Sequence, residues 1–379
     1  MLHCNIFGGG NRAVRKHMRR KDTESPDPSP PTGVRRISLA LQGGGSHGAF
    51  TWGVLDALLE DDRLDISGLS GASAGAVNAL AVAHGFAKGG PTAEGRKQLA
   101  RDTLGRVWRG VAGLGSLGSM AHGIARLMTG GWSSEAGSSG SVLGEAMARW
   151  MSPYQTNPLD FNPLRRLLDE EIDFDAIGRQ ERPQVFISAT QVRTGRPEIF
   201  TGPRLSLAAL MASACLPQMF QAVEIDDEAY WDGGFSSNPP LAPLIERCDS
   251  RDIVLVQLNP LSRAHFPQSV QEIAERASEL NFNASLLAQM RALDFIDRMI
   301  ERGDLVEGAG YQSVRLHRID GGKPMQELSA GSKMSADAAM MDRLFYEGRA
   351  AALKWLKRHF DALGSESTID IRRDYVGSP

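Results

Sequence analysis

The run Ile66-Ser67-Gly68-Leu69-Ser70-Gly71-Ala72-Ser73-Ala74-Gly75-Ala76-Val77-Asn78-Ala79-Leu80 decides how the rest of the chain is read. A short extended piece, Ile66 to Leu69, enters a turn of small residues and leaves it as a good helix start at Ala76 to Leu80. In so tight a strand-to-helix turn the central serine takes strained backbone angles, and bulky neighbours would collide with the flanking strand and helix. Gly71 and Gly75 supply the room. The turn also sets Ser73 at a helix N-terminus, where unpaired N–H groups and the helix dipole favour negative charge near its hydroxyl. That environment suits a nucleophile, although a small-residue crossing between packed elements would give the same G-x-S-x-G pattern.

Upstream, Arg36 to Gln42 reads as a β-prone strand that runs into Gly43-Gly44-Gly45-Ser46-His47-Gly48. Ala49 to Glu60 then places Phe50, Val54, Leu55, Leu58 and Leu59 on one helical face, and Asp65 to Leu69 begins the next strand. Strand, glycine loop, helix and strand in this order predict a βαβ unit of an α/β fold. A serine that attacks an acyl carbon builds negative charge on the carbonyl oxygen, which needs donors close by. Consecutive glycines let backbone N–H groups converge on one anion without side chains in the way. A phosphate-binding loop is the competing reading, but the run lacks the lysine of a P-loop and fits the dinucleotide signature poorly.

Serine also needs a base. Downstream of Ser73 stand His84, His122, His265, His317 and His359, none in a segment that looks dedicated to a site. The acid is clearer. In Tyr230-Trp231-Asp232-Gly233-Gly234-Phe235, Asp232 follows an aromatic pair and precedes two glycines and the Asn238-Pro239-Pro240 turn, which predicts a carboxylate at an exposed strand end. Asp-Gly-Gly is also common in plain hairpin turns.

The remainder of the 379 residues sets bounds. Composition is ordinary for a globular chain, with 42% hydrophobic and 23% charged residues and a net charge of −3, so no bulk basic field points to nucleic acid. Cys4, Cys215 and Cys248 have neither metal-ligand nor C-x-x-C spacing, which predicts no disulfide framework, no zinc site and a reducing compartment. No apolar run reaches the roughly 18 residues a spanning helix needs. Arg12, Arg15, Lys16, Arg19, Arg20 and Lys21 make a basic tail without the apolar segment that export requires, so a cytoplasmic protein is expected. The tail is either a solvated extension or a weak attraction to anionic headgroups. Gly110 to Gly144 mixes ten glycines with apolar residues and reads as an irregular insertion or as a mobile cover over an apolar site. Strands are expected at Gln184 to Thr190, Glu198 to Thr201 and Ile253 to Leu258, and helices at Ser269 to Arg302 and Ser335 to Phe360. The last helix is basic and amphipathic, fitting either a membrane surface or core packing.

Taken together, the glycine loop, the Ser73 turn and the Asp232 segment resemble, in order, the three motifs of the patatin-like phospholipase family. Ala212-Ser213-Ala214-Cys215-Leu216-Pro217 is similar to a further element that precedes the family's aspartate. The resemblance runs from about Arg36 to Leu258. It implies a three-layer α/β sandwich with a central, mainly parallel sheet, to which C-terminal helices are added. It further implies a Ser-Asp dyad in place of a triad: Ser73 as nucleophile, Asp232 as base, and Gly43, Gly44, Gly45, Ser46, His47 and Gly48 forming the oxyanion loop. No metal or cofactor is implied. The expected organisation is a tail and Pro-rich linker over 1–33, a catalytic domain over 34–260 with its insertion at 110–144, and a mainly helical part over 261–379 packing on it. The expected activity is hydrolysis of carboxylic esters of lipids through an acyl-enzyme, with a lipid ester as partner and contact with the inner face of the membrane as a peripheral option. An acyltransferase, a depolymerase of stored hydroxyalkanoate polyester, and an inert membrane-surface binding protein are the alternatives. One position departs from the family pattern: His47 stands where Arg or Lys is usual. A mostly neutral imidazole would give weaker help to the loop or to an anionic headgroup, which keeps neutral esters open as substrates.

Overall fold

A computed structural model describes residues 33–128, 152–263, 265–308, 312–328, 332–333 and 337–377. The basic tail and most of the Pro-rich linker lie outside the described residues. The sheet is built from β1 (Arg35–Leu41), β2 (Leu64–Ala72), β3 (Gln184–Gln191), β4 (Pro197–Phe200), β5 (Val223–Ile225), β6 (Glu228–Asp232), β7 (Asp252–Gln257) and β8 (Arg315–Asp320). Its hydrogen-bonded connections run β5-β6-β3-β2-β1-β7-β8, with β4 also on β3. The pairs β3-β2, β2-β1, β1-β7 and β7-β8 are parallel, and those involving β4, β5 and β6 are antiparallel.

The parallel strands read as near-continuous apolar runs because both of their faces are covered. Side chains alternate across a strand, and the two cores divide accordingly. Leu39, Leu41, Val254, Val256, Val185 and Ile187 enter one core, while Ala40, Ile253, Leu255 and Phe186 enter the other. This is the three-layer sandwich expected from the sequence.

On the first face lie α1 (Gly48–Glu60), α2 (Ala74–Lys88), α3 (Ala93–Met128), α4 (Pro163–Glu171), α5 (Phe174–Arg179) and α6 (Leu207–Ser213). Beyond α7 (Ala242–Arg247), α8 (Val270–Glu301) covers the second face through Leu286, Met290 and Leu293. After the short α9 (Gly322–Glu327), α10 (Ala338–His359) returns to the first face against α1. Residues Gly48 to Leu59 of α1 are all buried, because the helix is enclosed by its neighbours as well as by the sheet. The amphipathic C-terminal helix therefore spends Met341, Leu344, Ala352, Trp355 and Leu356 on core packing. The expected irregular insertion is partly corrected: α3 continues through Gly110 to Met128, and 129–151 lie outside the described residues.

Candidate active site

Strand register brings the serine and the aspartate together. β2 runs parallel to β3 and ends with Ala72 opposite Ser188; β6 runs antiparallel and ends with Asp232 opposite Ala189. β4 pairs with Ser188, Ala189 and Thr190, so it occupies one edge of β3 there. A strand has only two edges. β2 and β6 must therefore share the other edge and meet end to end, one register position apart. Ser73, the residue after Ala72, leaves the sheet at this junction beside Asp232.

Ser73 has φ 53° and ψ −125°, a left-handed conformation that costs a non-glycine residue of order 1–3 kcal/mol and is held by its surroundings. Its N–H donates to the Ser213 Oγ at 3.0 Å, so the element before the aspartate has a structural role in accepting the bond of the strained amide. The flanking glycines are steric necessities. A Cβ on Gly71 would lie 2.4 Å from the Gly75 carbonyl, and one on Gly75 would lie 2.1 Å from the Leu41 carbonyl oxygen. Ser73 is 8% exposed.

Asp232 is fully buried, so the expected exposed strand end is corrected: the carboxylate sits at a strand end but wholly inside the fold, and the turn after it packs on α8. A Cβ on Gly234 would meet the Phe282 ring of α8, and the Phe235 ring meets that of Phe282 at a 54° tilt with centroids 5.0 Å apart. Asp232 Oδ1 accepts the Gly234 N–H at 2.7 Å, whereas Oδ2 has no hydrogen-bond partner. Burial pushes its carboxyl up to about 7, against the Gly234 bond and a weaker approach of the Ser73 hydroxyl. An unpaired, desolvated carboxylate oxygen is a proton acceptor in waiting.

The glycine loop packs directly on the serine turn. A Cβ on Gly43 would sit 2.6 Å from the Ala72 carbonyl oxygen and 2.9 Å from the Ser73 Cβ. Both polar groups of Gly43 are pinned, its N–H to Asn238 Oδ1 at 2.6 Å and its carbonyl by Asn259 Nδ2 at 2.9 Å. The His47 N–H bonds the Gly44 carbonyl, and the Gly48 N–H bonds the carbonyls of Gly45 and Ser46. Among the described residues this leaves the amides of Gly44, Gly45 and Ser46 without a hydrogen bond. Gly48 serves packing, since a Cβ there would meet the Trp108 ring at 2.6 Å. His47 is buried, with Nε2 2.7 Å from the Ser332 Oγ, and burial followed by the charges of Lys333 and Arg263 drives its imidazole down to about 3. It is a neutral ring held in the fold.

The downstream imidazoles have other occupations. His84 accepts the Asp173 N–H, and His317 is buried between Asp252 and Thr368. His265 and His359 have no hydrogen bond to either member of the pair, and the side chain of His122 lies outside the described residues. Among the described residues no group of His, Cys, Asp and Glu is arranged to hold a metal ion, and no helix is long and apolar enough to cross a membrane. Sequence reasoning missed Gln42, Asn238 and Asn259. Gln42 Oε1 accepts the N–H groups of Leu258 and Asn259, binding the C-terminal ends of β1 and β7 beneath the loop. For Gln42 and Asn259 the signal was positional, since both follow a strand end, where the sites of α/β sheets form, whereas Asn238 comes only after the turn that follows β6.

The class this fold and site define is a three-layer α/β sandwich with a serine turn, a glycine loop and a buried aspartate at the strand ends. Residues 39–245, more than half of the chain, match the patatin-like phospholipase family, and the chain belongs to that family. Among solved structures, the crystal structure of VipD from Legionella pneumophila is similar at 15% identity and a TM-score of 0.39, covering 91% of this chain and 73% of that one. A comparison with curated proteins gives no match. The family places the chain among lipid acyl hydrolases in general.

Proposed function

We propose that the protein cleaves carboxylic esters of lipids through an acyl-enzyme on Ser73, with Asp232 as the base. The observation that carries this reading is the meeting of β2 and β6 on one edge of β3, which sets the Ser73 hydroxyl beside a buried carboxylate whose Oδ2 is unpaired. Asp232 takes the hydroxyl proton as Oγ attacks the acyl carbon, and the developing oxyanion is received by the free amides of Gly44, Gly45 and Ser46. Collapse breaks the ester bond, and the departing alcohol leaves with the proton from Asp232. Water then repeats the sequence and releases the fatty acid.

A lipid surface as the source of substrate is favoured by the segments around Asp232. Tyr154, Leu159, Phe161 and Met219 are 59%, 90%, 73% and 43% exposed. Their segments are tied together by the Tyr154 hydroxyl, which accepts the Ala222 N–H, and by Gln221, which donates to the Asn157 carbonyl. The second of these segments follows Cys215, whose carbonyl accepts the Asp232 N–H. Apolar side chains clustered in water beside a reaction centre are a contact surface for apolar matter.

Ser73→Ala and Asp232→Asn are each expected to abolish release of fatty acid from phospholipid vesicles and from a chromogenic acyl ester, with circular dichroism unchanged. Full activity in either variant would refute the assignment.

A further inference from the structure

Resting on the serine-hydrolase reading, we infer that Lys333 is a positioning residue for the oxyanion loop, reaching it from the far end of the chain through Asn259. The loop itself carries no cation, because His47, its one titratable side chain, is a buried neutral ring. Two contacts bring the Ser332-Lys333 segment onto the loop, and a third joins it to Asn259 beside the loop. A Cβ on Gly45 would lie 2.3 Å from the Lys333 carbonyl oxygen, the Ser332 Oγ meets His47 Nε2, and the Lys333 ammonium donates to Asn259 Oδ1.

The third contact has a directional consequence. An ammonium only donates hydrogen bonds, so Asn259 must turn Oδ1 toward Lys333, which leaves Nδ2 for the Gly43 carbonyl. The Gly43 carbonyl and the Gly44 N–H belong to one planar trans peptide and point in opposite directions. Fixing the carbonyl on Asn259 therefore fixes the Gly44 N–H on the other side, as a preset donor for the acyl oxygen. The Gly43 N–H, bonded to Asn238, closes off rotation of the preceding peptide. Lys333 also brings a positive charge to a site where negative charge develops, and its carbonyl braces Gly45, whose φ is +57°.

The groups facing the ammonium are Glu279 and Glu275 on α8, Arg263 before that helix, and His47. Glu279 is already paired with Arg263 and Arg276. Burial outweighs the acids and lowers the Lys333 ammonium to about 8. Its deprotonation should therefore cut turnover on the alkaline side, while protonation of Asp232 cuts it on the acid side near 7.

The test is the pH profile of kcat and KM for the full-length wild type, Lys333→Met and Lys333→Arg on a short-chain p-nitrophenyl ester, with Ser73→Ala as control. For Lys333→Met the expected result is kcat lower by about tenfold, short of the roughly hundredfold or more lost when an oxyanion donor itself is removed. KM should stay within about twofold, because an oxyanion donor acts mainly in the transition state. The alkaline limb near 8 disappears and the acid limb stays. Lys333→Arg keeps the charge, should recover part of the lost kcat and should also lack that limb; it decides the matter alone if Lys333→Met fails to fold. Wild-type kcat in Lys333→Met, or an alkaline limb unchanged in Lys333→Arg, overturns the inference while leaving Ser73 intact. Activity persisting in Ser73→Ala overturns the serine reading and this inference with it.

Discussion

The base role proposed for Asp232 requires an ionised carboxylate at the moment of reaction, yet the residue lies where ionisation is costly. Its folded pKa, about 7, stands above the ordinary aspartate value of 3.8, so the folded state holds a proton that the unfolded chain releases. Stability from this residue is complete below about pH 4 and is lost progressively as pH rises to about 7, the loss reaching of order 4 kcal/mol at roughly 1.4 kcal/mol per unit. Asp232→Asn removes the titration. Its stability relative to wild type, measured by urea unfolding, is expected to climb from pH 4 to pH 7 and then level off; a difference independent of pH would contradict the burial argument. Ser73 carries a second cost in its left-handed backbone. Both residues were legible as motifs because each motif is local, whereas the burial of Asp232 was not, since the turn that follows it packs on Phe282, some fifty positions away.

Among the elements, legibility followed periodicity. The capping box of Ser269 and Glu272 opens α8 one residue from the predicted start, and the strands at Gln184, Pro197 and Asp252 fall within a residue or two of their expected places. α3 was hidden by Gly105, Gly110 and Gly113, which lower helix propensity by about 1 kcal/mol each and read locally as loop. The antiparallel β5 and β6 are too short for an alternating pattern to declare them. Contact between elements was likewise invisible. α1 and α10 cross at backbone distance: a Cβ on Gly53 would come 1.9 Å from the Phe345 carbonyl oxygen, and one on Gly348 would come 2.0 Å from that of Phe50. Asp56, between Arg101 and Arg349, ties this crossing to α3. Gly348→Ala should force the helices apart and lower stability by about 1–3 kcal/mol. Thermal unfolding checks this, and an unchanged Tm would mean that the crossing adapts freely.

For the molecule as a whole, the site collects pieces from distant parts of the chain at the C-terminal ends of parallel strands. Gln42 and Gly43 follow β1, Ser73 follows β2 and Asn259 follows β7, while β6 delivers Asp232 from the opposite direction. The C-terminal elements close the assembly: α8 packs on the turn after the aspartate, Asn283 of α8 bonds to Gln42, α10 backs α1, and Lys333 reaches Asn259. The three motifs within 43–234 pointed to the family, but the residues that hold them in place come partly from beyond 245, where the family match ends. Their pairing is a product of topology and leaves no local trace in sequence. The most direct test of the Ser73–Asp232 pair is the rate and site of covalent reaction with a fluorophosphonate, read by peptide mass spectrometry in wild type and Asp232→Asn. One adduct is expected, on Ser73, forming at least about a hundredfold faster in wild type, as general base catalysis commonly contributes. An adduct on another residue, or equal rates in the two proteins, would contradict the pairing.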